Sequence, residues 1–123
     1  WAIKNALGGE IFVPKIPSYN LKDVATAIGP SCDKEIVGIR SGEKIHEEMI
    51  TIADSYNTID LGKYFAILPS DLELFKKYQN LNIPFSKFKN EISYNSGDNS
   101  HFLSVPKIRE LIINNIDNNF KPT

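Results

Sequence analysis

Apolar residues at positions 1, 3, 6 and 7 recur at helical spacing and Gly8-Gly9 stops the run, so residues 1–7 read as a helix ending on glycine. Residues 10–13 form a short β-branched and aromatic stretch closed by Pro14, the pattern of a buried strand. Pro14 and Pro17 fix φ and bias the residue before each, which keeps 14–17 extended. Leu21, Val24, Ala25 and Ile28 mark one face of a second helix, with Asn20 as N-cap, Asp23 in the first turn and Gly29-Pro30 at its end. Residues 35–39 (Glu-Ile-Val-Gly-Ile) predict the next strand, running into a tight turn at Arg40-Ser41-Gly42-Glu43. Residues 44–52 fit either a short helix or a strand. Residues 58–60 and 64–68 predict a hairpin across Leu61-Gly62-Lys63. Ser70 and Glu73 make a capping box before a helix with Leu72, Phe75 and Tyr78 on one face. Ser104 and Pro106 open a last helix with the stripe Ile108, Leu111, Ile112 and Ile116, which should dock on the core or on a neighbouring subunit. Between these helices, residues 80–99 are polar and punctuated by Pro84 and Gly97, and read as a long, mobile, irregular loop.

Helix–strand–helix order predicts an α/β layer arrangement. The 123 residues suit one domain at most, and 41 % hydrophobic residues exclude wholesale disorder. Charge nearly cancels at −1, which argues against nucleic acid or an anionic membrane as partner, since both reward a cationic excess. No apolar run approaches the roughly 20 residues that span a bilayer, and the lone Cys32 cannot form an internal disulfide. The expectation is a cytoplasmic protein. Trp1 stands where a helix is already under way, so the chain is expected to be a fragment.

The chemistry-bearing residues are few. The chain has no Gly-x-Gly-x-x-Gly, no phosphate-binding Gly-x-x-x-x-Gly-Lys-Ser/Thr, no Tyr followed four residues later by Lys, and no Gly-x-Ser-x-Gly elbow. His46-Glu47 starts like a zinc-protease helix, but Ile50 replaces the second ligand. Cys32, His46 and His101 are too scattered for a metal or nucleophile site. Only two arginines stand in a lysine-rich chain, Arg40 and Arg109, and an Arg offers a planar, two-pronged donor that Lys cannot. Arg40 lies at a strand end, where α/β sheets grip ligands. There it can place two hydrogen bonds on a phosphate, while Glu43, brought back by the Gly42 turn, accepts from sugar hydroxyls. The same four residues also fit a surface turn with a solvated ion pair, and Glu43, Glu47 and Glu48 fit a solvated face.

Gly8-Gly9-Glu10-Ile11-Phe12-Val13-Pro14-Lys15-Ile16-Pro17-Ser18 and the run from Ile36 through Gly38-Ile39-Arg40-Ser41-Gly42-Glu43 to Ile50 resemble the C-terminal part of the inverting UDP-N-acetylglucosamine 4,6-dehydratases. These are extended short-chain dehydrogenase/reductases of the polysaccharide-biosynthesis group. Residues 64–69, 94–99, 103–105 and 108–111 are similar to the tail of the same family, so the resemblance covers nearly the whole chain and is weakest over 80–90. It implies an α/β fold, with residues 1–123 forming a single C-terminal substrate-binding region and the Rossmann-type N-terminal domain absent. It implies NADP as cofactor, held by that absent domain, and UDP-N-acetylglucosamine or a related UDP-sugar as substrate. In such enzymes hydride leaves sugar C4, water is eliminated across C5–C6, and hydride returns at C6 with inversion at C5. The Tyr/Lys pair and the carboxylate that handle the protons belong to the N-terminal half, so no catalytic residue is expected in this chain, which alone should be inactive. Arg40 would contact the UDP diphosphate and Glu43 the uridine ribose, while Lys15 fits either an additional cleft residue or a solvated loop lysine. The full-length protein would be a homo-oligomer. Ser41 departs from the family's usual Pro, which leaves the turn less rigid. A UDP-sugar 4-epimerase of the same family, or a non-catalytic nucleotide-binding or assembly module, would carry the same motifs.

Overall fold

A computed structural model describes residues 1–70, 72–89 and 91–123. In chain order the elements are α1 (Ala2–Asn5), β1 (Ile11–Pro14), α2 (Leu21–Ile28), β2 (Glu48–Ile50), α3 (Ile52–Ser55), β3 (Thr58–Asp60), β4 (Tyr64–Ile67), α4 (Glu73–Asn80), β5 (Ser86–Lys87), β6 (Tyr94–Asn95) and α5 (Val105–Asn115). The fold is mixed α/β. Its residues gather into two compact units, each assembled from two stretches of chain: Trp1–Lys15 with Glu48–Asn95, and Ile16–Glu47 with Ser96–Thr123.

The first unit is organised by the β3–β4 hairpin. Gly62 takes φ +87°, a conformation that L side chains resist. The Asp60 carboxylate accepts the Gly62 N–H at 2.8 Å, and the Leu61 N–H donates to the Tyr64 carbonyl at 2.8 Å. β1 pairs with the other edge of β4 and β5 with the other edge of β3, giving an antiparallel sheet in the order β1-β4-β3-β5. In register, Val13 lies opposite Phe65, whereas Phe12 and Ile59 flank Ala66. Successive strand residues point to opposite faces, so one face carries Val13 and Phe65 against Ile50, and the other carries Ile59 and Ala66 against Leu74 and Tyr78 of α4. Both faces of β4 are covered, which is why its sequence is apolar throughout instead of alternating. Glu10 locks the entry to β1: its carboxylate accepts the N–H groups of Leu7 and Gly8 and, at 3.1 Å, the hydroxyl of Tyr78, a side chain only 1 % exposed.

The second unit packs α2 against α5, with Ala27 and Ile108 buried at the contact. The last carbonyls of a helix have no partner within it. Here Arg109 supplies one, its Nε donating to the Ala27 carbonyl at 2.9 Å and its Nη2 to the Thr26 carbonyl at 3.1 Å. Of the α5 stripe only Ile108 is buried. Leu111 and Ile116 border an open apolar hollow of about 820 Å³ shared with α2.

Several elements depart from expectation. Residues 35–39 form no strand, and Ile36, Val37 and Ile39 are 77 %, 79 % and 61 % exposed. A strand needs a neighbouring edge, and among the described residues of this unit the only ladder contact is the isolated Ser18–Phe102 bridge. The ambiguous 44–52 stretch resolves into β2 and the start of α3, where the Thr51 hydroxyl accepts the Asp54 N–H at 3.1 Å as a helix cap. The first helix is a single turn, and α4 begins at Glu73 with Leu72 as its N-cap; the expected box from Ser70 to Glu73 spans residue 71, which lies outside the described residues. Among the described residues of 80–99, two two-residue strands, β5 and β6, interrupt an otherwise irregular stretch. No helix among the described residues is long and apolar enough to cross a membrane.

Candidate functional site

Residues 40–43 form the expected turn. The Glu43 N–H donates to the Arg40 carbonyl at 3.1 Å, and Gly42 sits at φ +85° in the third position, where a tight turn of this kind demands glycine. The Glu43 side chain folds back so that Oε2 accepts the Arg40 N–H at 2.9 Å, while Oε1 lies 3.9 Å from Arg40 Nε. The two side chains are 83 % and 51 % exposed. An exposed pair at that distance contributes little to stability, so the turn is held by its backbone bond and the carboxylate–amide bond. The arrangement leaves the guanidinium fork open to solvent, with a carboxylate fixed beside it.

Beside the turn lies an open hollow of about 660 Å³, a volume in the range of small-molecule clefts. Gly38, Ile39, Gly42, Glu43, Lys44 and Glu47 contribute to its wall, and Arg40 stands outside the lining. One cation and two carboxylates on that wall give it acceptors for hydroxyls and a donor for an anion. Lys44 and Glu47 were not singled out from sequence as ligand contacts. Their adjacency to the Gly42 turn was the available signal.

Lys15 belongs to the other unit. Its ammonium donates to both Asp60 carboxylate oxygens at 2.7 Å and lies 4.4 Å from the centre of the Phe65 ring. The charge is therefore already matched by a carboxylate and a ring face. Among the described residues no group of three or more His, Cys, Asp or Glu side chains is placed to hold a metal ion.

Comparison with known proteins gives these features a context. UDP-N-acetylglucosamine 4,6-dehydratase (inverting) of Campylobacter jejuni is 40 % identical over 110 residues, which is 85 % of this chain and 33 % of that protein. UDP-glucose 4-epimerase of Rickettsia felis is 26 % identical over 122 residues, 93 % of this chain and 34 % of that one. The X-ray structure of Pen from Bacillus thuringiensis superposes with a TM-score of 0.70 at 29 % identity, covering 92 % of this chain and 33 % of Pen. The chain thus spans about a third of the length of the relatives it matches, corresponding to a C-terminal part of these larger proteins. Residues 1–69, more than half of it, match the family model described as "Polysaccharide biosynthesis protein", and the chain belongs to that family.

Proposed function

We propose that this chain is the UDP-sugar-binding part of an inverting UDP-N-acetylglucosamine 4,6-dehydratase. The observation that carries the reading is the 40 % identity to a protein of that name over 85 % of the chain. The turn geometry supports it. Arg40 presents two parallel donors suited to a diphosphate, Glu43 presents a carboxylate suited to a ribose diol, and the hollow that Glu43 lines takes the remainder of the nucleotide sugar. Lys15, whose ammonium is bonded to Asp60 and lies over the Phe65 ring, is not counted among the ligand contacts in this reading. The 4-epimerase reading has less support, since that relative is 26 % identical.

The chain's own residues do not fit NADP. A dinucleotide pyrophosphate needs a glycine-rich turn from strand to helix N-terminus; the connections β1–α2, β2–α3 and β4–α4 contain no glycine, and β6–α5 contains Gly97 alone. In this reading the cofactor is held by the two-thirds of the family's length that this chain does not span. Within this reading Arg40 and Glu43 bind and orient; they make or break no bond of the sugar.

A titration of the chain with UDP, followed by amide chemical shifts, tests the assignment. The expected response centres on residues 38–47, saturates, and is weaker with uridine, which lacks the diphosphate. No response there, or an equal response to uridine, overturns the diphosphate role of Arg40.

A further inference from the structure

We infer that the turn at Ser96 and Gly97 is the positioning device for the Arg40–Glu43 turn, acting through His46 and Glu47. The inference rests on the ligand reading just given. Every residue from 30 to 49 is exposed and residues 33–40 have no regular structure, so burial does not fix where the turn stands. Contacts further along do. The Glu47 N–H donates to Ser96 Oγ at 2.9 Å, and the Ser96 N–H donates to the Glu47 carbonyl at 2.8 Å. This reciprocal pair fixes the Glu47 backbone in both directions.

One residue further on, the His46 ring covers Gly97. A Cβ added there would meet Cγ and Nδ1 of the ring at 2.8 Å and Cδ2 at 2.9 Å, closer than real Cβ contacts come. Because Cγ is itself in the way, a small swing of the ring does not relieve the clash, and the whole side chain must leave. The glycine is required for its missing side chain.

The other side of the turn is anchored. Asn99 Nδ2 donates to the Ile16 carbonyl at 2.8 Å and to Ser18 Oγ at 3.1 Å, and its Oδ1 accepts the His101 N–H at 3.0 Å. Ser18 is buried, its N–H donating to the His101 carbonyl and its carbonyl accepting from Leu103. A continuous path of contacts therefore runs from Ser18 through Asn99 and the Ser96–Gly97 turn to His46 and Glu47. Glu43 lies only four residues before Glu47, and both line the same hollow, so holding one sets the reach of the other.

Backbone order parameters for residues 40–47 and UDP affinity, measured on the 123-residue chain, test this, with the thermal midpoint as control. Gly97→Ala should lower the order of 40–47 and weaken UDP binding about 3–10-fold, the scale of coupling through packed neighbours. Gly97→Ala/His46→Ala should restore both, because the ring is the group that the new methyl meets. Ser96→Ala should loosen the same residues, and His46→Ala should not rescue it. Unchanged order in Gly97→Ala, a loss that persists in the double variant, or a midpoint that falls with order lost evenly across the chain would each overturn the inference. If order falls and recovers as stated while UDP affinity stays constant, the positioning role stands and the ligand role of Arg40 and Glu43 fails.

Discussion

Glu10 receives hydrogen bonds from the Leu7 and Gly8 amides and from the Tyr78 hydroxyl. Burial pushes its pKa up, but the bonds from Leu7, its own N–H, Gly8 and Tyr78 together hold it below the ordinary 4.5. Tyr78 is moved the other way, first by burial and then by the Glu10 charge and the bond to it, to well above the ordinary 10.0. The signs follow from linkage. The Glu10 contribution is complete above its unfolded value and is lost as pH falls through the lowered folded value. The Tyr78 contribution is complete below about pH 10 and is lost as pH rises beyond it. Urea midpoints against pH should therefore fall on both flanks, and Glu10→Gln should flatten the acid flank; an acid slope unchanged in that variant would show that other carboxylates set it. At the turn, Arg40→Lys keeps the charge but loses the fork, so UDP binding should weaken by about 1–3 kcal/mol, the range for hydrogen bonds to charged groups. Glu43→Gln keeps an acceptor for the Arg40 N–H and should cost less. Equal affinities in all three proteins would return the turn to the solvated surface pair that its spacing also fits.

Arg109 does for α2 what the sequence suggested an arginine does for a phosphate: it spends two donors on two oxygens, here the Thr26 and Ala27 carbonyls. Arg109→Ala should lower stability by about 1–3 kcal/mol, and Arg109→Lys should recover part of it, as read from chemical denaturation. Sequence could nominate the residue but not the partner, because Ala27 lies 82 positions away. The same limit explains which elements were legible. The β3–β4 hairpin was readable because Gly62 and its flanking apolar runs are local, and α2 and α5 because 3.6-residue spacing and their end signals are local. Residues 35–39 have a strand's composition, but composition supplies only half of a strand, and the missing half is an edge to pair with. The Arg40–Glu43 turn was legible in its backbone, since Gly42 announces it. The hollow wall at Lys44 and Glu47, and the seating of His46 on Gly97 across 51 positions, were not.

At the scale of the molecule, the family and its C-terminal part were legible because long motifs such as residues 8–18 carry far more information than a bare Arg-x-Gly-Glu. In the proposed reading the chain holds binding groups without the proton-handling pair, so the purified 123-residue chain should yield no 4-keto-6-deoxy product from UDP-N-acetylglucosamine; a detected product would remove the proposed division of labour. Lys15→Met should cost stability and not UDP affinity if the pairing with Asp60 and Phe65 is its main role. A loss of about 1 kcal/mol or less is expected for a half-exposed ion pair, with denaturation and UDP titration run side by side, and a selective loss of affinity would restore Lys15 as a ligand contact.

The two units borrow chain from each other: the first closes only when residues 48–95 return to residues 1–15, the second only when 96–123 return to 16–47. On a ribosome this imposes a timetable. The edge strand β1 emerges before β4, its partner some fifty residues later, and must wait for it with Ile11, Phe12 and Val13 unpaired meanwhile, the condition in which nascent strands recruit chaperones or one another. A ribosome-arrested chain ending shortly before residue 64 should remain open to protease over residues 1–15, and one extended well beyond residue 95 should protect them. Helix α2 should stay unprotected until Arg109 has cleared the exit tunnel.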